Sequence, residues 1–442
     1  MSISNYATYR LHGIPKGSSR KDVRTLVRRA VRCDDDSNIR VGSLANELSE
    51  PGEMVATLSF DKTPEVLSGS STAEQWRLEV PLDEPGEAKV VLLFDTHFHG
   101  CTTLHCPPGE DWKMDLIAIS GLGGHAFGSF KRKGESYMWL RDDLPKSFPG
   151  SRVIIYGYNS KLHGSLSVQN ATDIAMKFHE AMTDIRSVPE KPLLLLGHSL
   201  GGIVIKEALH MIRTSDDQVD KVNFGAISGI LFFGVPNQGM DIQSLIPMAG
   251  DGFNRGFLHT LESQSPVLRT QAQQWSQTDA DLNCNIINFY ETQASLTARL
   301  KDDGTWTMAG PPAVLVDSHS ATHGRLRNLN GHRIHPIDCS HSDLVKFSSV
   351  YDEAYKTVLR YLRSVDAEIG QRRNACLKSL GFPEQYDRMD SLDPDDRTCD
   401  WLIKNKVFAS WLNSPKGLIW IRGNPGSGKS MAMKRALLYF KD

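Results

Sequence analysis

Residues 193–209, LLLLGHSLGGIVIKEAL, are the stretch that decides the fold. The four leucines predict a buried strand, and the apolar residues near the end of the stretch recur at helical spacing. Between them, residues 197–201 (GHSLG) match G-x-S-x-G, in which a sharp strand-to-helix turn lifts a serine hydroxyl above a parallel sheet. Gly197 and Gly201 fit such a turn because side chains there would clash. The stretch predicts an α/β sheet with Ser199 as candidate nucleophile, and an ordinary turn is the alternative.

Composition limits the classes of protein to which the chain can belong. Its length of 442 residues predicts two or three domains, and a composition of 40% apolar and 23% charged residues predicts a buried core. The formal net charge of -2 gives no bulk basic field for nucleic acid or anionic membrane. Seven scattered cysteines without a C-x-x-C pair predict reduced thiols in a cytoplasmic protein, with neither a disulfide framework nor a zinc site. No apolar run is long enough to predict a transmembrane segment.

Changes of pattern along the chain predict four segments. Residues 1–85 have the order βαββαβ, which predicts a small ferredoxin-like (RRM-like) α+β unit. RNA binding by such a unit requires aromatic residues on its two central strands, and too few are present, so no nucleic-acid partner is expected. Residues 86–366, which contain the turn at Ser199, are expected to form an α/β-hydrolase (serine esterase/lipase-like) domain on the basis of the motifs in this segment. Residues 367–399 form a linker, and residues 400–442 begin a P-loop domain.

The segment 86–366 alternates apolar strands with helices. The predicted strands are AKVVLLF, MDLIAIS, RVIIYGY, PLLLLG, ISGILFFGVP and NIINFYE. Continuous apolar strands between helices indicate a mostly parallel sheet with helices on both faces. Residues 237–283 predict a cap over the site, and residues 341–365 a closing helix.

A serine nucleophile requires a base, which α/β-hydrolases place late in the chain order Ser–acid–His. His341 is the best candidate because its loop, CSHSD, comes directly before the predicted closing helix. His332 and His335 are near enough in the sequence to remain alternatives. His210 lies in the helix after the turn, where a structural role is expected.

The acid should follow the strand that comes after ILFFGVP. Glu291, at the end of NIINFYE, meets this requirement, and Asp317 in AVLVDSHSA is the alternative acid. An oxyanion hole requires two backbone N–H groups, one from the residue after the nucleophile and one from an early glycine-rich loop. Leu200 supplies the first by its position, and Leu122, in the loop GLGG, is the candidate for the second.

These motifs together resemble a known family. The chain from about residue 95 to 347 is similar to the serine-lipase-like α/β-hydrolase domain at the N-terminus of fungal NACHT-type (NOD-like) receptor proteins. The resemblance rests on the stretches DTHFHG, DLIAISGLGGHAFGSF, YMWLRDDLP, VIIYGYNS, LLLLGHSLGGIVIKEAL, ILFFGVPNQG, FYET and HSDLVKF. It implies Ser199 as nucleophile, Glu291 as acid and His341 as base. It also implies an acyl-ester or lipid-like substrate, protein partners of a receptor assembly and no cofactor for the hydrolase. A signalling or scaffold module with little or no turnover is the alternative.

The chain departs from the family pattern at two places. Relatives often have His-Gly at the start of the oxyanion loop, where this chain has Ser120-Gly121. They also often have Pro-His after the strand ILFFGVP, where this chain has Pro236-Asn237. Neither change removes a member of the predicted triad, although each could alter turnover or substrate fit.

A second motif lies near the end of the sequence. Residues 423–430, GNPGSGKS, match the phosphate loop G-x-x-x-x-G-K-[ST] between a predicted strand, GLIWIR, and a predicted helix. The candidate nucleotide-binding residues are Gly423, Gly426, Gly428, Lys429 and Ser430, with Lys429 reaching the β- and γ-phosphates and Ser430 the Mg²⁺. Since the sequence ends at Asp442, we expect only the first part of a NACHT-type domain, as in a truncated receptor. ATP and Mg²⁺ are therefore expected as ligands of a full-length protein, and weak or absent ATP binding of this chain alone.

Overall fold

The structure is a computed structural model, and it describes residues 7–33, 38–68, 74–81, 89–109, 112–162, 166–243, 245, 255–302, 306–323, 332–379, 399–412, 419–424 and 426–439. The chain divides into two units, Met1–Asp366 and Ala367–Asp442.

An antiparallel sheet begins the first unit. Its strands are β1 (Thr8–Pro15), β2 (Ile39–Asn46), β3 (Glu53–Phe60), β4 (Gln75–Val80) and β5 (Val90–Asp95), in the order β2-β3-β1-β5-β4. Helix α1 (Arg20–Val31) follows β1, and α2 (Glu65–Ser68) follows β3. A reciprocal capping box between Ser19 and Asp22 begins α1, whose valines at four-residue spacing are buried. The elements from β1 to β4 have the predicted order βαββαβ.

The position of β5 differs from the prediction. Residues 88–94 are predicted to belong to the parallel sheet, but β5 pairs antiparallel with β1 and β4, so that assignment is wrong. The apolar run predicted burial without specifying a sheet, and Leu92 and Phe94 are buried in the core beneath α1. The predicted boundary between residues 85 and 86 lies outside the described residues.

A seven-stranded sheet forms the centre of the first unit. Its strands are β6 (Gly100–His105), β7 (Met114–Ile119), β8 (Ser151–Gly157), β9 (Leu193–His198), β10 (Ile227–Phe233), β11 (Asn285–Glu291) and β14 (His332–Ile337). The order is β14-β11-β10-β9-β7-β8-β6, and only the edge strand β6 pairs antiparallel with its neighbour. A hairpin of β12 (Ser295–Leu300) and β13 (Trp306–Ala313) follows β11. This strand order, with a strand-to-helix turn at the end of central β9, is an α/β-hydrolase fold and confirms the predicted fold class.

Helices cover both faces of this sheet. They are α3 (Trp139–Asp142), α4 (Leu144–Ser147), α5 (Ala171–Ile185), α6 (Leu200–Thr214), α7 (Gln218–Ala226), α8 (Arg255–Thr260), α9 (Pro266–Asp281), α10 (Ser318–Ala321) and α11 (Glu353–Ser379), with 3-10 turns at Gly128–Phe130 and His341–Asp343. Residues of α5, α6 and α9 form one apolar core with β7, β9 and β10. On α11, Val365 packs so closely on β10 that a Cβ added at Gly229 would lie 3.0 Å from it.

The predicted closing helix differs in detail. The closing helix, predicted from residue 341, begins at Glu353, where the Asp352 carboxylate accepts the backbone N–H of Ala354 at 3.0 Å. It ends at Ser379, inside the predicted linker. In the predicted cap, α9 packs on α6 through Gln271, whose side-chain amide donates to the Ile203 carbonyl at 3.3 Å.

The second unit contains α12 (Asp400–Ile403), α13 (Lys406–Leu412) and α14 (Lys429–Tyr439). The helix predicted after the glycine-rich motif is present as α14. The strand predicted over residues 417–422 is not formed at 419–422, because a strand needs a neighbour and the described residues supply none. Residues 417 and 418 lie outside the described residues. Across the described part of the chain, no helix is both long and apolar enough to cross a membrane.

Candidate active site

Ser199 lies on a strained turn between β9 and α6. Its φ of 52° and ψ of -123° are unusual for a residue with a side chain, and its N–H donates to the Phe233 carbonyl at 2.8 Å. The turn depends on close backbone contacts. A Cβ added at Gly201 would lie 2.5 Å from the Ile119 carbonyl oxygen, and one at Gly202 would lie 2.1 Å from a methyl carbon of Val235. Gly201 and Gly202 therefore allow α6 to begin directly against the end of β7 and the loop after β10.

His341 and Glu291 form a buried hydrogen-bonded pair. Glu291 ends β11, His341 begins a 3-10 turn after β14, and Nδ1 of the imidazole lies 3.0 Å from Oε1 of the carboxylate. Only 7% of the His341 side chain and 1% of the Glu291 side chain are exposed. Because a carboxylate accepts, Nδ1 carries the proton in the neutral ring and Nε2 is left as an acceptor. Nε2 has no hydrogen-bond partner among the described residues.

The structure distinguishes the two candidate acids. The Glu291 carboxylate oxygen that contacts His341 also accepts the N–H of Val316 at 3.0 Å. Asp317 is exposed and instead caps α10, where it accepts the N–H of Ser320 at 2.7 Å. Glu291, and not Asp317, is therefore the carboxylate next to His341.

The structure also separates the candidate bases. His335 lies on β14 with its ring against those of Phe289 and Tyr361. His210 lies on α6, and the side chain of His332 lies outside the described residues. Of the three candidate histidines whose side chains are described, His341 is the one that contacts Glu291.

The glycine-rich loop after β7 lies against Ser199. A Cβ added at Gly121 would lie 2.7 Å from Cβ of Ser199, so the backbone that leads into Leu122 passes directly beside the serine. The loop bends through a hydrogen bond from the Gly124 N–H to the Gly121 carbonyl at 3.1 Å. A second hydrogen bond stabilises the loop: the Gly123 N–H donates to the Ser160 carbonyl at 2.8 Å. Leu200, the other candidate donor, is the first residue of α6.

The two departures from the family pattern have structural partners of their own. The carbonyl of Ser120 accepts a hydrogen bond from the Tyr158 hydroxyl at 3.0 Å, where burial raises the pKa of the phenol. The Asn237 side chain accepts from the buried Lys206 ammonium and donates to the Ser320 carbonyl at 2.9 Å. Asn237 thus joins the loop after β10 to the helix that follows the hairpin.

Four residues around His341 are missing from the sequence predictions. The side chain of Ser295 accepts the N–H of His341 at 3.1 Å, and the ring of His198 bonds to the His341 carbonyl at 3.0 Å. A Cβ added at Gly234 would lie 2.9 Å from Cε1 of the imidazole. The fourth is Val316, through its bond to the Glu291 carboxylate. For these four residues, the one indication of a role that the sequence offers is the position of His198 directly before Ser199.

The predicted phosphate loop precedes α14. Gly426 and Gly428 have φ values of 79° and 81°, and the Lys429 ammonium donates to the carbonyls of Gly423 and Asn424 at 2.8 and 2.7 Å. The helix begins at Lys429 and includes Ser430. No group of histidine, cysteine and carboxylate side chains with a metal-binding arrangement occurs among the described residues.

Comparison with known sequences gives matches at low identity. The chain is 23% identical over 282 residues to Protein SERAC1 of Homo sapiens, which covers 58% of this chain and 39% of that protein. It is 24% identical over 222 residues to Protein SERAC1 of Mus musculus, covering 44% of this chain and 33% of the relative. The chain thus spans less than half the length of these curated relatives. A family model described as Nephrocystin 3, N-terminal, matches residues 397–442. The predicted membership of the fungal receptor family stays a prediction.

Comparison with solved structures gives hydrolases among the matches. The Bacillus licheniformis lipase BlEst2 has a TM-score of 0.38 at 11% identity, covering 59% of this chain and 97% of the lipase. The type II thioesterase YbtT has a TM-score of 0.33 at 16% identity, covering 60% of this chain and 96% of the thioesterase. Because these scores are low, the fold assignment rests on the strand order and the turn at Ser199.

Proposed function

We propose that the protein is a serine hydrolase that cleaves an acyl ester, with Ser199 as nucleophile, His341 as base and Glu291 as the residue that orients the base. The observation that supports this most directly is the buried 3.0 Å contact between Glu291 and His341 in the fold whose central strand ends at Ser199. The order Ser–acid–His along the chain agrees with it.

The chemistry follows from the proton positions. With Nδ1–H donated to Glu291, Nε2 of His341 accepts the proton of Ser199 as Oγ attacks the ester carbonyl. The imidazolium that forms is stabilised by the Glu291 carboxylate, while the N–H groups of Leu122 and Leu200 donate to the oxyanion. His341 then returns the proton from Nε2 to the leaving alcohol, which leaves an acyl-enzyme at Ser199. A water molecule, deprotonated by His341, attacks this acyl group, and the acid is released as Ser199 regains its proton. Nε2 of His341 has no hydrogen-bond partner among the described residues, so it is available to accept the Ser199 proton.

A fluorophosphonate probe tests this proposal, because it reacts only with an activated serine. We expect the wild type to be labelled and to hydrolyse p-nitrophenyl esters, and Ser199→Ala to do neither. Ser215→Ala, at the other end of α6, is the matched control and should behave as wild type. Absence of labelling in the wild type would contradict the proposal and favour the alternative of a scaffold module without turnover.

A second function, nucleotide binding, is proposed for the loop before α14. The left-handed Gly426 and Gly428 next to a helix that begins at Lys429 support it, since such a turn directs backbone N–H groups towards a phosphate. Calorimetric titration with ATP and Mg²⁺ tests it. We expect weak binding that Lys429→Ala abolishes and Lys434→Ala leaves intact. Equal binding by both variants would contradict a phosphate loop.

The location, substrate class and partners of the protein are also proposals. We place the chain in the cytoplasm, acting on an acyl-ester or lipid-like substrate as part of a receptor-type protein with protein partners. The pattern of seven scattered cysteines without a C-x-x-C pair supports this location. Fractionation of cells that express the protein tests the location, and recovery in a secretory compartment would contradict it.

A further inference from the structure

Two side chains form hydrogen bonds with the backbone of His341, one with its N–H and one with its carbonyl. Ser295, at the start of β12, accepts the His341 N–H through Oγ at 3.1 Å. His198, at the end of β9, lies with Nε2 3.0 Å from the His341 carbonyl oxygen. Both side chains belong to buried residues, 6% and 7% exposed. We call these two hydrogen bonds the His341 clamp.

The chemistry of the clamp fixes the proton positions of His198. A carbonyl oxygen only accepts, so Nε2 of His198 carries the proton and Nδ1 does not. Nδ1 is buried and has no hydrogen-bond partner within the described part of the chain. Burial, and then the proximity of His341, lower the pKa of His198 to about 3. The ring is therefore neutral at ordinary pH and remains a donor to His341.

The ring of His341 is restricted as well. Nδ1 is bonded to Glu291, and the imidazole lies against Gly234, where an added Cβ would approach Cε1 to 2.9 Å and Nδ1 to 3.0 Å. The N–H, the carbonyl and Nδ1 of His341 are thus each engaged. Nε2, the nitrogen that the proposed mechanism uses, is left without a described partner.

The loop that carries His341 has little regular structure of its own. It is a single 3-10 turn, with a bond from the Asp343 N–H to the Ser340 carbonyl at 3.0 Å and a long one from Leu344 to His341 at 3.5 Å. Hydrogen bonds to residues distant in sequence are therefore needed to fix the position of His341. His198 precedes the nucleophile, so its bond ties the loop of the base directly to the turn of Ser199.

We propose that His198 and Ser295 are positioning residues for the base: together they hold the peptide groups of His341 so that its Nε2 faces Ser199. The proposal rests on the proposed serine hydrolase function and adds two residues to the site. His198 does not exchange protons with substrate, because Nε2 is bonded to the His341 carbonyl and Nδ1 is buried. It acts through the His341 backbone.

Two amide substitutions at residue 198 test the donor. In His198→Gln the side-chain nitrogen reaches as far as Nε2 and can still donate to the His341 carbonyl. In His198→Asn it reaches only as far as Nδ1, and the bond is lost. Since a misplacement of about 1 Å can reduce turnover by about 100-fold, we expect kcat of the Asn variant to fall by about 10- to 100-fold with KM little changed. The Gln variant should recover most of kcat.

Further variants complete the test. Ser295→Ala removes the acceptor and should lower kcat in the same way, whereas Ser295→Thr keeps the hydroxyl. His105→Asn is the matched control, because His105 lies near the Pro149 carbonyl at 3.4 Å on the edge strand β6 and should not affect kcat. Equal loss in the Gln and Asn variants at residue 198, or a change in KM alone, would overturn the positioning role.

Amide hydrogen exchange separates this proposal from the proposed function. In a peptide that covers residues 338–344, we expect His198→Asn and Ser295→Ala to exchange faster than wild type, and His198→Gln to exchange like wild type. Unchanged exchange in the Asn and Ala variants would overturn the clamp whatever the activity. If the wild type neither hydrolyses esters nor reacts with a fluorophosphonate, the proposed function is refuted. The exchange rates of the variants still show whether His198 and Ser295 hold the backbone of His341.

Discussion

Replacing Glu291 with glutamine tests the chemical role of the carboxylate, because the amide keeps the shape and removes the charge. The Glu291 oxygen lies 3.0 Å from His341 Nδ1, and the glutamine carbonyl can still accept from both His341 and Val316. What disappears is the attraction between a carboxylate and the imidazolium that forms as Ser199 attacks. At an effective dielectric constant of 20, two unit charges at that distance attract by about 5.5 kcal/mol.

A neutral hydrogen bond recovers about 1 kcal/mol of this attraction. The net loss of about 4.5 kcal/mol in the transition state corresponds to a fall in kcat of roughly 10³- to 10⁴-fold. The assay is the steady-state hydrolysis of a p-nitrophenyl ester, with Asp317→Asn as matched control. We expect the control to keep its kcat, because Asp317 caps α10 and does not contact His341. A Glu291→Gln enzyme within tenfold of wild type, or a loss confined to Asp317→Asn, would refute the assignment.

Three further predictions follow from contacts near the site and in the first sheet. Gly121→Ala places a Cβ 2.7 Å from that of Ser199, so we expect loss of fluorophosphonate labelling with a melting temperature close to wild type; normal labelling would contradict this. The pKa of His198 is about 3 when folded against about 6.5 for an exposed imidazole, so the unfolded chain binds more protons between these values. Stability should therefore fall as the pH drops from 6.5 towards 3, and urea titrations should show a smaller fall in His198→Gln. Arg10 is the buried partner of Asp95 at 2.7 Å, so Arg10→Met should destabilise the protein by about 3–5 kcal/mol in denaturant unfolding, and a loss below 1 kcal/mol would count against it.

The turn at Ser199 was predictable because its determinants are local. An apolar strand, closely spaced glycines and an amphipathic helix all lie within residues 193–214, and each is visible without knowledge of the rest of the chain. The same reasoning failed for β5. Its run of apolar residues predicts a buried strand equally well in either sheet, and the choice depends on pairing with β1, about 80 residues away in the sequence.

The surroundings of the base depend on contacts that no local pattern encodes. His198 and His341 are separated by 143 residues, and Ser295 and His341 by 46. Their meeting depends on how β9, β12 and the loop after β14 come together in the fold. The acid was predictable only as a pair of alternatives, because Glu291 and Asp317 both follow apolar strand-like segments.

The hairpin of β12 and β13 explains why these two carboxylates were hard to separate. It leaves β11 just after Glu291, and its first residue, Ser295, accepts the N–H of His341. Three residues after its end, the N–H of Val316 donates to Glu291. One segment thus contacts both the acid and the base, and Asp317 is near the site because it follows Val316. Since neither contact touches the serine, changes that move the hairpin should act on the acid–base pair and lower kcat before they alter the turn at Ser199.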